Sequence, residues 1–201
     1  PFLARICADD RAYQVLICLL DLTDDTVLTG KSLVAELKAQ LPAISQSLCG
    51  RRVLLTTCLG LSSHILPPDV IKALEEARSL ARQAATTKKD VAAKQQELSA
   101  LLKDDLVAQL VEQAATILPQ PEWSVFVIEL LASLGEAAAA TLEQCLGKLE
   151  APFKQPAVCE VLKRLLKKTP VNCAAVILKL ADLDELLAGE AGFILLGMLQ
   201  H

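Results

Sequence analysis

The residues with usable chemistry fall into three basic groups. Lys163, Arg164, Lys167 and Lys168 stand at i, i+1, i+4 and i+5, which places them on one strip of a helix; Arg51 and Arg52 are adjacent; Lys88, Lys89 and Lys94 follow a polar stretch. Cations gathered on one face neutralise phosphates and release condensed counterions, which is the chemistry of binding a nucleic-acid backbone. The competing reading of each group is a solvated helix face. The formal net charge of the 201-residue chain is −4. That argues against the whole chain being a nucleic-acid cradle, so any such binding must be local.

Other chemistries find little material. With only His64 and His201 as histidines, no Ser-His-Asp, Cys-His or paired-carboxylate arrangement can be assembled, so no catalysis is expected. The seven cysteines are odd in number, widely spaced and mostly set in apolar runs, with no CxxC pair. They read as buried reduced thiols rather than zinc ligands or a disulfide framework, which suits a nuclear or cytosolic compartment. Thr29-Gly30-Lys31-Ser32 looks like the end of a phosphate-binding loop, but position 25, where that loop needs its first glycine, is Asp, and no strand precedes it. No cofactor, metal or small-molecule substrate is expected. No apolar run reaches the roughly 18 uncharged residues of a spanning helix, so no membrane partner is expected and the chain reads as soluble.

The elements that would position the basic groups are helices. Apolar residues make up 53% of the chain and aromatics only 3%, whereas sheets draw on β-branched and aromatic side chains. A segment beginning at Gly50, with a small residue, two variable residues and an apolar run, can be laid on others beginning at Arg11, Trp123, Val158 and Ala191. Their starts are separated by 39, 73, 35 and 33 residues. A period of this size marks a helical repeat array, in which each module stacks on its neighbours to bury an apolar face it cannot bury alone. Around these segments, Leu33, Val34, Leu37 and Leu41 form one stripe; Pro67 and Pro68 open a helix with Val70, Ile71, Leu74 and Leu80 as its buried face. A further helix from about Asp90 to Leu118 carries a possible break near Lys103-Asp104-Asp105. The domain reading is repeats over 1–80, an irregular insertion over 81–97, and further repeats over 98–201 in one continuous solenoid. The chain opens on Pro1 and its single Met is Met198, so it is expected to be a piece of a longer protein.

Residues just after each segment start share a surface. The pattern there is similar to the second helix of Pumilio repeats, Gly-x-x-Val-x-x-x-Leu, and the chain resembles the C-terminal part of the Pumilio-like Puf-A family, which carries a region called CPL. Four pieces carry the likeness: Cys49 to Leu55 preceded by Leu41 to Ile44; Thr87 to Asp90 with Glu97 and Leu98 downstream; Pro156 and Ala157 before Val161 to Lys163; and Ala191 to Leu195. The resemblance implies an all-α, right-handed α-solenoid of Pumilio-like, armadillo- and HEAT-related repeats that binds RNA, either pre-rRNA or mRNA, or DNA. It further implies a nucleolar protein of the nucleus acting in large-subunit ribosome biogenesis and pre-rRNA processing beside pre-ribosomal proteins.

A repeat that reads bases needs polar residues at two edge positions. Here the pairs are Ala12 with Leu16, Arg51 with Leu55, Ser124 with Ile128, Cys159 with Lys163 and Gly192 with Leu196. Four of the five end on an apolar residue, so a base-reading code is absent and binding should go to phosphate and shape. The residues expected to bind nucleic acid are Arg51, Arg52, Lys163, Arg164, Lys167, Lys168, Lys88 and Lys89, with Tyr13 as a stacking platform; Phe193 stands at a similar stacking position. The alternative is a protein-binding solenoid of the armadillo or HEAT type, in which Leu55, Ile128 and Leu196 would line an exposed apolar groove.

Overall fold

The computed structural model describes residues 2–83, 89–181, 192 and 194. All regular structure among them is helical: α1 (Phe2–Ala8), α2 (Ala12–Leu22), α3 (Thr26–Thr29), α4 (Ala35–Ala39), α5 (Leu41–Ile44), α6 (Leu48–Leu59), α7 (Pro68–Gln83), α8 (Val91–Glu112), α9 (Ala114–Ile117), α10 (Ser124–Ala132), α11 (Ala137–Leu146), α12 (Pro156–Lys168) and α13 (Pro170–Leu180). The chain divides within α8 into two compact units, Pro1–Leu106 and Val107–His201.

In the first unit, α6 is the central element. Ser47 caps its start by accepting a hydrogen bond from the Gly50 N–H at 2.8 Å, and Gly60 closes its end at φ 83°. Left-handed backbone of that kind is cheap only for glycine. From Cys49 to Cys58 every residue but Arg52 is buried, because α1 and α2 pack against α6. Gly50 sits so close to the end of α5 that a Cβ there would lie 1.9 Å from the Ile44 carbonyl oxygen. The small residue of the repeat pattern therefore has a steric cause. Helix α2 buries Tyr13, Leu16, Ile17 and Leu20, a 3,4-spaced stripe that faces α6 and α7.

Several sequence expectations shift here. Thr29-Gly30-Lys31-Ser32 lies in unbroken helix, since a π-helical turn over Gly30–Val34 joins α3 to α4. The Thr29 N–H donates to the Asp25 carbonyl and the Gly30 N–H to those of Thr26 and Val27, so backbone amides that would cradle a phosphate are engaged in the helix, and Ser32 Oγ donates to the Leu28 carbonyl at 2.7 Å. Leu80 is 66% exposed rather than buried. The face of Val70 and Leu74 continues through Ala77, Arg78 and Ala81 at 3.6 residues per turn, and Leu80 falls about 100° away from its centre. The insertion placed at 81–97 is largely helix: α7 runs to Gln83 and α8 starts at Val91, where Asp90 accepts from the Ala93 N–H at 3.0 Å as an N-cap. Nor does α8 break at Lys103-Asp104-Asp105. Leu98, Leu102, Leu106 and Leu110, each four apart, are all buried and carry the helix through.

In the second unit α10 packs on α12, α11 on α13, and α12 on α13. Trp123 and Phe126 meet edge to face with ring centroids 5.6 Å apart, which seats the start of α10. Thus the helices that begin the repeat segments stack on one another within each unit, α2 on α6 and α10 on α12. Most of the segment at Ala191 lies outside the described residues.

Candidate nucleic-acid interface

Helix α12 buries Val158, Cys159, Val161, Leu162, Leu165 and Leu166. The face turned away from them carries Glu160, Lys163, Arg164, Lys167 and Lys168. Pro156 fits the first turn, where no amide donor is needed, and Lys167 and Lys168 occupy the last turn, where the helix dipole favours cations. Glu160 pairs with two of its neighbours, with Lys163 Nζ at 3.7 Å and Arg164 Nε at 2.9 Å. Lys168 is ion-paired with Glu129 of α10. Lys167 is exposed and pairs with no carboxylate among the described residues. The structure therefore brings Lys163, Arg164, Lys167 and Lys168 onto one solvent-facing strip, partly neutralised by two carboxylates.

The other expected contacts are corrected by burial or engagement. Arg51 is 5% exposed. Its Nη1 donates to the carbonyls of Ser45 at 2.9 Å and Gln46 at 3.1 Å. These carbonyls lie just past α5, where a helix end leaves acceptors without intrahelical partners. Arg51 thus fastens α5 to α6 instead of facing a ligand. Tyr13, expected to stack on a base, is 2% exposed; burial pushes its pKa up, against the pull of the Arg52 guanidinium nearby. Arg52 is half-buried and turned to this inner group, where Cys49 Sγ also donates to Asp10 Oδ1 at 3.3 Å.

The third group is an internal network. Lys89 Nζ lies 2.5 Å from Glu97 Oε2 and 3.0 Å from Thr26 Oγ1, tying α3 to α8. Lys94 is 5% exposed and donates to the backbone carbonyl of Asp21, whose carboxylate is held in a two-pronged contact by Arg78 at 2.5 and 2.6 Å. Burial drives the Lys94 pKa down. Lys88 and Phe193 lie outside the described residues.

The paired positions that a base-reading repeat would use are largely inside. Leu16, Arg51, Leu55, Ile128 and Cys159 are all buried, so they reach no base edge, and Leu55 and Ile128 line no exposed groove. Among the described residues no group of three His, Cys, Asp or Glu could hold a metal ion, and no helix is long and apolar enough to cross a membrane. Sequence reasoning missed Glu160 and Glu129 as partners of the strip. Glu160 was legible from its i+3 and i+4 spacing to Lys163 and Arg164; Glu129 required knowing that α10 lies beside α12.

The CPL (NUC119) domain matches residues 46–179. Pumilio homology domain family member 6 of Schizosaccharomyces pombe is 30% identical over 159 residues, covering 75% of this chain and 24% of that protein. Pumilio homolog 3 of Danio rerio is 27% identical over 132 residues, covering 66% of this chain and 20% of its own length. The chain therefore spans about a quarter or less of these relatives. The crystal structure of human Puf-A in complex with DNA superposes with a TM-score of 0.87 at 22% identity, covering 99% of this chain and 42% of that one. Human Puf-A alone gives 0.85 at the same identity, with 43% of its chain covered. The shared fold is an all-α, Pumilio-like solenoid.

Proposed function

The chain belongs to the CPL (NUC119) domain family and is a Puf-A-like Pumilio protein, and on that premise we propose that it binds nucleic acid through phosphate contacts with little sequence preference, using the α12 strip. The observation that carries this reading is the single exposed face holding Lys163, Arg164, Lys167 and Lys168 over a fully apolar opposite face. The four cations lie within about 7.5 Å of helix axis at 1.5 Å per residue, close enough to engage neighbouring phosphates of one strand, while the mostly buried edge positions leave little to read bases. That human Puf-A has been crystallised with DNA supports nucleic acid as the ligand class. The ligand in the cell is RNA, pre-rRNA or mRNA, and the work is large-subunit ribosome assembly and pre-rRNA processing in the nucleolus, alongside pre-ribosomal proteins; family likeness supports this part.

The test is binding of labelled single-stranded RNA and DNA of several sequences, followed by anisotropy at three salt concentrations. Each phosphate contact contributes a log–log salt slope of about −0.7 on single strands. Lys167→Ala should weaken binding to every sequence alike and flatten the slope by roughly 0.7, and Lys163→Ala with Lys167→Ala by roughly 1.4. No complex at low salt would overturn the reading. The cellular part is tested by localising the tagged protein and probing pre-rRNA intermediates on its depletion; exclusion from the nucleolus with normal processing would refute it.

A further inference from the structure

Three of the four cations on the α12 strip are not waiting for a ligand, since each is already held by a carboxylate. Glu160 Oε1 and Oε2 reach Arg164 Nε at 2.9 Å and Lys163 Nζ at 3.7 Å, and about half of each of these three side chains is exposed. Glu129 extends from α10 to Lys168, with 15% and 32% of the two side chains exposed. One carboxylate therefore spans two cations along α12, and a second, more enclosed one crosses between neighbouring helices.

We propose that Glu160 and Glu129 are intramolecular competitors for the strip, so that it admits a chain of phosphates but discriminates against a single anion. This rests on the nucleic-acid reading of α12. A lone phosphate that displaces Glu160 exchanges one anion for another, and the displaced carboxylate then stands beside it and repels it. A polyphosphate backbone engages several cations together and releases several counterions in one event, which offsets the loss of the weak carboxylate pairs. With four cations facing two carboxylates, the strip presents a small net positive charge until such a chain arrives. The carboxylates thereby set a threshold of ligand valence and hold down affinity for the long strand itself.

The test compares the wild-type chain, Glu160→Gln, Glu129→Gln and Lys167→Ala, with a labelled single strand as ligand and inorganic phosphate as competitor. Glu160→Gln should bind the strand more tightly and with a slope steeper by 0.7 to 1.4, so that its affinity falls about 3- to 7-fold further than wild type between 50 and 200 mM salt. With the labelled strand held well below its Kd for each protein, so that displacement reports phosphate affinity alone, inorganic phosphate should compete at lower concentration on Glu160→Gln than on wild type. Glu129→Gln, read at Lys168, should shift in the same direction, and melting curves should show all variants folded. If both glutamine variants bind and compete as wild type while Lys167→Ala weakens binding, the competitor role is refuted and the nucleic-acid reading stands. If Lys167→Ala also changes nothing, the strip is not the binding surface and both fall.

Discussion

A guanidinium carries five donors in a rigid fork, and with its head turned inward Arg51 must find acceptors or leave a charge buried alone. It finds them in the carbonyls of Ser45 and Gln46, which the end of α5 leaves without helical partners. Arg51→Met keeps much of the buried stem but orphans both carbonyls and removes a charge-assisted pair. We expect a loss of roughly 2–4 kcal/mol in chemical denaturation, with the salt slope of any nucleic-acid binding unchanged. A flatter slope without destabilisation would return Arg51 to the ligand. The sequence could not distinguish these roles. Arg51 and Arg52 stand side by side after the same small residue, and a rotation of about 100° per residue sends one guanidinium to α5 and the other toward Tyr13. Lys163 and Lys167 were legible because their neighbours at 158, 161, 162, 165 and 166 are all apolar, so the opposite face could only be outside.

At the scale of the element, the repeat pattern has a physical origin in how closely α6 passes the end of α5. Gly50 has no room for a side chain: the nearest atom to a Cβ would be backbone, the Ile44 oxygen at 1.9 Å, which no rotamer change can move aside. Gly50→Ala must push α5 and α6 apart, although alanine is the better helix former by about 1 kcal/mol. We expect net destabilisation of at least about 2 kcal/mol, measured by thermal and urea unfolding; a stabilised variant would show that α5 shifts freely. Helix identity was legible over most of the described chain but not at its middle: 81–83 and 91–97, read as irregular, are helical, and leucines four apart at 98, 102, 106 and 110 impose one face on α8 across the charges at 103–105. What was not legible is the π-helical turn at Gly30–Val34. It changes no residue type or spacing rule, only which carbonyl each amide meets, and it turns a sequence that ends like a phosphate loop into continuous helix.

At the scale of the molecule, the thiols and the inner amine make stability depend on alkaline pH. Burial pushes Cys7 and Cys58 from 9.0 to about 12 and Cys145 to about 11, so both units carry thiols that hold their protons more tightly when folded. Above pH 9 the unfolded chain releases protons that the native chain keeps. Stability is therefore complete below pH 9 and is lost progressively as pH rises toward 11 to 12. Lys94 works in the opposite sense: its native pKa is lowered by burial, so the unfolded chain binds the extra proton below 10.5 and this group's contribution grows as pH rises to that point. Cys18, Cys49 and Cys173 are raised by burial as well, so six thiols against one amine leave a net decline. Urea titrations at pH 7.5, 9.5 and 10.5 should show a falling unfolding free energy. Cys58→Ala should shallow the decline between the last two values, and Lys94→Met should steepen it by removing the opposing group. A stability that stays level from 7.5 to 10.5 in the wild type, with Cys58→Ala unchanged in slope, would mean that the thiols ionise as readily in the fold as out of it.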